Sequence, residues 1–266
     1  MELSGKNVVI TGGSQGIGQA LAERFASGGA KVLLVARSES KLEALSKKIG
    51  AEYLVADLTV PNQVDGLLNA SIDKLGHVDV LINNAAVETS GPFNKTSHDE
   101  LRRVARLNFE APLILTRDFV GHMLERNMGH IVQISSVAGA IPFVGQAAYS
   151  GSKAAITNLT ETIRLELADT PIGFTVVSPG PISTEMWSRV DSDENAFMAP
   201  ALKRFRQTHF LPTLSPQKLA DTTFTAVRAN KRFVRLPHRY ALFYLFNNAP
   251  RRIVEMTLAG VKLDPR

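Results

Sequence analysis

A chain of 266 residues, 44% hydrophobic and 21% charged, is long enough to bury the core of one large α/β domain. It has no cysteine, which excludes disulfides, thiolate nucleophiles and cysteine zinc sites, and its six histidines never pair at ligand spacing, so metal chemistry is not expected. The formal charge of +5 is uneven: from Arg228 onward nine basic residues face two acidic ones, a balance of +7 that leaves the remainder at −2.

Short β-branched, apolar runs alternate with helix-length segments from the start. Strands are predicted at 7–11, 31–36, 52–56, 78–82, 130–135 and 174–177, with helices among the intervening stretches at 18–27, 40–49 and 154–168. Continuous apolar strands bounded by turns suit a parallel sheet covered on both faces. Strand–helix alternation then gives a single-domain α/β fold, a Rossmann-like doubly wound parallel sheet. No internal repeat or linker marks a second domain. After Pro181 the pattern changes: residues 183–214 carry Met186, Trp187, Met198 and Phe205 among charges, and read either as a lid over a substrate pocket or as a surface helical excursion. Residues 237–266 form an aromatic and basic C-terminal extension. It reads as an oligomer contact, a core-covering helix, or a peripheral membrane contact in which arginines meet anionic headgroups.

Gly12, Gly16 and Gly18 follow the first strand and open a helix, the context in which glycine spacing points to a dinucleotide phosphate site. Ser14, Gln15 and Ile17 complete the turn, whose helix N-terminus supplies unpaired N–H groups. The next strand ends at Ala36-Arg37-Ser38, with no acid to take the adenosine ribose hydroxyls. Arg37 can instead hold a 2′-phosphate, with Ser38 adding a hydroxyl, so NADP(H) is expected over NAD(H). Glu39 is expected to point away from that site.

Tyr149 and Lys153 stand at i and i+4, which puts them on one face of a helix starting near residue 149. A nearby lysine ammonium favours the phenolate of a tyrosine and suits it to proton transfer. Ser136 ends the fifth strand and can orient a carbonyl, whereas Ser135 would face the opposite way. These motifs resemble the short-chain dehydrogenase/reductase family from about residue 3 to 184: Thr11 to Gly18, Asp57-Leu58, Asn83-Asn84-Ala85-Ala86, Asn108, Ser136, Tyr149, Lys153 and Pro179 to Thr184. Ala86 departs from the family's glycine. The resemblance implies that Asp57 and Leu58 meet the adenine and that Asn84 and Ala85 line its ribose. It also implies that Tyr149 and Lys153 flank the nicotinamide ribose, and that Pro179, Gly180, Ile182 and Thr184 border the carboxamide. Asn108 is implied as a fourth catalytic residue whose backbone carbonyl holds a relay water. Pro112, four residues on, lacks the N–H that would otherwise occupy that carbonyl.

Val137, Phe143, Gln146, Met186 and Trp187, together with Ser136, are expected to line a substrate pocket for a hydrophobic ketone, aldehyde or secondary alcohol. The expected activity is NADP(H)-linked hydride transfer. The alternative is an NADP-binding regulatory protein without significant catalysis. A homodimer or homotetramer is implied by the resemblance. No nucleic-acid motif accompanies the charge. No apolar run approaches the roughly 20 residues of a membrane-spanning helix. The N-terminus has no signal-peptide pattern, so a cytoplasmic location, with peripheral membrane contact as a further reading, is the expectation.

Overall fold

Alternate side chains of the central strands feed two separate cores. In β1 (Asn7–Thr11), Val8 and Ile10 join one apolar cluster and Val9 the other; in β2 (Lys31–Ala36), Val32 and Leu34 separate from Leu33 and Val35 in the same way. This two-sided burial makes the strands continuously apolar. The sequence was read for six strands; the computed structural model, which describes residues 1–190, 197–198 and 212–238, has seven among the described residues. The others are β3 (Glu52–Val55), β4 (Val80–Asn83), β5 (Gly129–Ile134), β6 (Ile172–Pro179) and β7 (Phe233–Leu236). All pair in parallel, in the order β3-β2-β1-β4-β5-β6-β7.

The helices are α1 (Gly16–Ser27), α2 (Glu39–Ile49), α3 (Pro61–Asp65), α4 (Leu67–Leu75), α5 (His98–Ala105), α6 (Ala111–Glu125), α7 (Ala147–Glu166), α8 (Glu185–Val190) and α9 (Pro216–Arg228). One cluster takes Leu21 and Phe25 of α1, Leu42 of α2 and Phe224 of α9. The other takes Leu67 of α4, with Leu115 and Phe119 of α6, and Ile163 of α7 packs against it. The sheet is therefore doubly wound, and the chain reverses its course between β1 and β4. A ligand crevice is expected outside the carboxyl ends of those two strands.

Element limits differ from the sequence reading for identifiable reasons. The fourth strand was expected from residue 78, yet Val78 donates its N–H to His122 Nε2 at 3.2 Å. Asp79 is fully buried, accepting from the Asn7 N–H at 2.9 Å and pairing with Arg126 at 3.3 Å. β6 runs through Gly173, where an added Cβ would meet the His130 ring at 2.2 Å. Part of the basic stretch beginning at Arg228 is engaged by partners remote in the chain. Arg228 pairs with Glu2 at 3.3 Å, Arg232 pairs with Glu161, and the Arg235 guanidinium lies 4.2 Å from the Phe233 ring centre. Residues 183–214 leave β6 and return beside it: Ile182 bridges Leu214, and Ser183 N donates to Leu214 O at 2.9 Å. Most of that segment, and the C-terminal extension beyond residue 238, lie outside the described residues.

Phe224 joins α9 to α1, edge-on to Phe25 at 5.2 Å and with the Arg24 guanidinium 3.7 Å from its ring centre. Phe224→Ala is expected to cost about 3–5 kcal/mol of stability, read by chemical denaturation.

Candidate active site

The crevice between β1 and β4 opens into a cleft of about 390 Å³. Its floor is the glycine turn. Gly12 and Gly16 have φ of +65° and +58°, and a Cβ on Gly18 would stand 2.1 Å from the Gly12 carbonyl oxygen. Only glycine fits these positions. The turn is pinned to the loop after β4 by Thr11, whose hydroxyl accepts from the N–H groups of Asn84 and Ala85 at 3.0 and 3.1 Å. The Asn84 amide replies, donating to the Thr11 carbonyl at 2.9 Å and the Gly12 carbonyl at 3.2 Å. Asn84 and Ala85 do border the cleft, but the Asn84 amide is engaged with the turn. α1 begins here with no side-chain cap from Gln15 and no acid in its first turn. Its free N–H groups and positive end are thus left for an anion, and the residues present fit a dinucleotide pyrophosphate.

At the adenosine end the cleft is bordered by Arg37, Ser38, Asp57 and Leu58, while Glu39 is not part of the wall. Arg37 lies 3.7 Å from an Asp57 carboxylate oxygen. Burial works to raise the Asp57 carboxyl. Hydrogen bonds from the Thr59 N–H and hydroxyl, at 2.9 and 2.8 Å, and the Arg37 charge outweigh it and hold the group below the usual carboxylate range.

Ser136, Tyr149 and Lys153 meet at the opposite end of the cleft. Lys153 Nζ donates to the Ile134 carbonyl at 2.8 Å and stands 5.7 Å from the centre of the Tyr149 ring. Burial lowers the ammonium to about 8. It also pushes the Tyr149 phenol up to about 12, with the Glu88 charge acting in the same direction, and a hydrogen bond with Ser136 only partly opposes them. Without cofactor, burial outweighs the groups that favour phenolate, and the desolvated phenol keeps its proton. Ser135 does face away: its hydroxyl donates to the Lys153 carbonyl at 2.9 Å, tying β5 to α7. Asn108 does not reach the cleft wall. It occupies a π-helical turn (Arg106–Glu110) just ahead of Pro112, which has no N–H for an ordinary helical bond to the Asn108 carbonyl. Its buried amide donates to Val87 O at 2.8 Å and Ser152 Oγ at 3.1 Å and accepts from Val87 N at 2.9 Å, a positioning role that the sequence did not disclose.

The short chain dehydrogenase family matches residues 6–195, well over half of the chain. The protein is a member of that family. A 3beta-hydroxysteroid dehydrogenase 1 of Eggerthella lenta is 35% identical over 202 residues, covering 73% of this chain and 77% of that protein. A short-chain dehydrogenase of Sphingobium yanoikuyae solved with NADPH superposes with a TM-score of 0.78 at 27% identity, covering 98% of this chain and 99% of that one. A short chain dehydrogenase/reductase of Burkholderia phymatum solved with NAD gives 0.81 at 27% identity, covering 100% and 99%. The protein is accordingly an oxidoreductase of the short-chain dehydrogenase family, with that family's Rossmann-like nucleotide-binding architecture.

Ser14, Ile17, Pro179, Gly180, Ile182 and Thr184 line this one cleft, together with Val137, Phe143, Gln146, Met186 and Trp187. Among the described residues no helix is long and apolar enough to cross a membrane. The sequence reading missed two acids of the wall. Glu88, mostly buried, pairs with Arg189 of α8 at 3.1 Å, and Glu185 accepts from Gln15 Nε2 at 3.3 Å. Their partners are 101 and 170 residues distant in sequence, so no local pattern marks them.

Thr11→Val leaves two half-buried N–H groups without their acceptor, and is expected to cost about 1–3 kcal/mol and to weaken binding of NADPH and NADH alike, measured by denaturation and fluorescence titration. The Lys153 ammonium makes a second expectation. An unfolded lysine holds its proton to about 10.4, whereas folding lowers this one to about 8. Between those values the unfolded chain binds more protons, so stability rises with pH. Relative to Lys153→Met, the wild type should gain about 2 kcal/mol from pH 8 to 10 in urea denaturation.

Proposed function

We propose that the protein transfers hydride between NADP(H) and a hydrophobic ketone or aldehyde, or the corresponding secondary alcohol, with Tyr149 as the general acid and base. The observation carrying this reading is the convergence of Ser136, Tyr149 and Lys153 on the same cleft as the glycine turn. The bound nicotinamide supplies or accepts the hydride. Tyr149, its proton retained to about 12, gives that proton to the carbonyl oxygen as the carbon is reduced. Ser136 holds the same oxygen and shares a hydrogen bond with Tyr149. Lys153 would hold the nicotinamide ribose and return a proton to the phenolate left on Tyr149. The Asn108 carbonyl, unbonded by Pro112, holds the water that reprotonates Lys153. A regulator without catalysis has no need of this complete set.

Arg37 and Ser38, with Ala36 in place of an acid, favour NADP(H). Val137, Phe143, Met186 and Trp187 favour an apolar substrate, and Trp187 packs on Met198 within the segment assigned as a lid. The steroid dehydrogenase relative supports including polycyclic substrates. Assembly as a homodimer or homotetramer through α6 and α7 is in keeping with Leu124 and Leu165, 38% and 65% exposed on those helices.

The test is NADPH consumption by wild-type and Tyr149→Phe protein across short, long-chain and polycyclic carbonyls. The expected outcome is turnover by the wild type on at least one class and a loss of about 10²-fold or more in the variant, with NADPH binding kept. A wild type that binds NADPH but reduces none of the panel would overturn the reading.

A further inference from the structure

We propose that Lys41 is a second cation for the phosphate on the adenosine ribose, acting beside Arg37 and deciding the choice of NADP(H) over NAD(H). The inference rests on the NADP(H) reading above. It begins from a charge deficit at the adenosine end. A phosphate monoester carries about −1.5 to −2 at neutral pH. Arg37, the cation that the sequence offers there, lies 3.7 Å from the carboxylate of Asp57. That carboxylate is fixed in place through its other oxygen by the N–H and hydroxyl of Thr59. Arg37 and Asp57 together present no net charge to an incoming dianion. Arg37 alone therefore gives a weak basis for discriminating a phosphate from a hydroxyl.

Lys41 corrects the balance. It lies in the first turn of α2, three residues beyond Ser38, and its ammonium donates to the side-chain carbonyl of Gln15. Gln15 belongs to the glycine turn and borders the cleft, so the ammonium is tethered at the cleft's rim by a neutral group. The contrast with its neighbours on the same helix is direct. Lys47 is bonded to Glu43 at 2.6 Å and Lys48 to Glu23 at 2.8 Å, and both of those charges are answered by carboxylates. Among the α2 lysines, Lys41 has its contact with an amide instead. An ammonium on a flexible four-carbon stem can turn from that amide to a phosphate oxygen without moving the backbone. The competing account makes Lys41, Gln15 and Glu185 a polar strap joining α2, the turn and α8. That strap would support binding of either cofactor equally.

The two accounts separate in the affinities of the full chain for NADPH and NADH, measured by fluorescence titration for wild type, Lys41→Ala and Lys41→Arg. The expected result is an NADPH dissociation constant raised about tenfold in Lys41→Ala and an NADH constant changed by less than about twofold, with Lys41→Arg close to wild type. Equal weakening for both cofactors would establish the strap and overturn the proposal, as would an unchanged NADPH affinity. A wild type that binds the two cofactors equally would overturn the NADP(H) reading and this inference together. A wild-type preference that persists undiminished in Lys41→Ala would overturn this inference alone. Lys41 is exposed, so thermal melting of the variants serves as the folding control.

Discussion

The join between the ends of β1 and β4 depends on the Thr11 hydroxyl, and most of the cleft inherits its geometry from that join. Thr11 takes the first two N–H groups of the loop after β4, and Asn84 returns a bond to each of the first two carbonyls of the turn. The tie continues along the loop. Val87 is held on both its N–H and its carbonyl by Asn108, Asn108 reaches Ser152, and the Ser152 hydroxyl donates to the Tyr149 carbonyl at 2.7 Å. A continuous run of hydrogen bonds and one short loop thus sets the distance between the phosphate end of the cleft and the phenol. Reaction geometry tolerates little error, and a buried network satisfied at each of these bonds is a physical means of limiting it.

The same burial that orders the reacting groups opposes their charged forms. Lys153 and Tyr149 are shifted in the directions desolvation dictates, each toward neutrality. Charge in the cleft is carried instead by residues at its borders: Arg37 with Asp57, Glu88 with Arg189, and Glu185 through Gln15. α8 takes part in two of these contacts and carries Met186 and Trp187 as well, so charged and apolar parts of the cleft wall meet on one short helix.

What the sequence disclosed was whatever is local. Most of the six strands that it revealed are runs rich in valine, isoleucine and leucine buried on both sides, and the edge strand β3 is the exception, half-exposed along EYLV. The turn and the Tyr149–Lys153 spacing are read within a few residues. β7 was missed because its FVRL run is short and flanked by charge, and its burial alternates where that of the central strands is continuous. The ion pairs of the basic stretch around it are not legible in the sequence because its acids, Glu2 and Glu161, are remote in the chain. Asn108 stands out on the family pattern, yet its side chain serves Val87 and Ser152, contacts that no spacing encodes. The desolvation of Tyr149 is not legible in the sequence, which gives the neighbours of a group but not the water it has lost.

The pairing of Ile182 with Leu214 closes the excursion between them at its base, like the neck of a bag. Both ends emerge at one point on the carboxyl edge of the sheet, so the distance the chain must span there is fixed whatever the number of residues in between. Loop-closure entropy grows only slowly with such a number. Insertions or deletions in the middle of that excursion would leave the strands and the Thr11 join untouched. Changes of length there are separated from the wall residues Thr184 to Trp187, which stay beside the bridge.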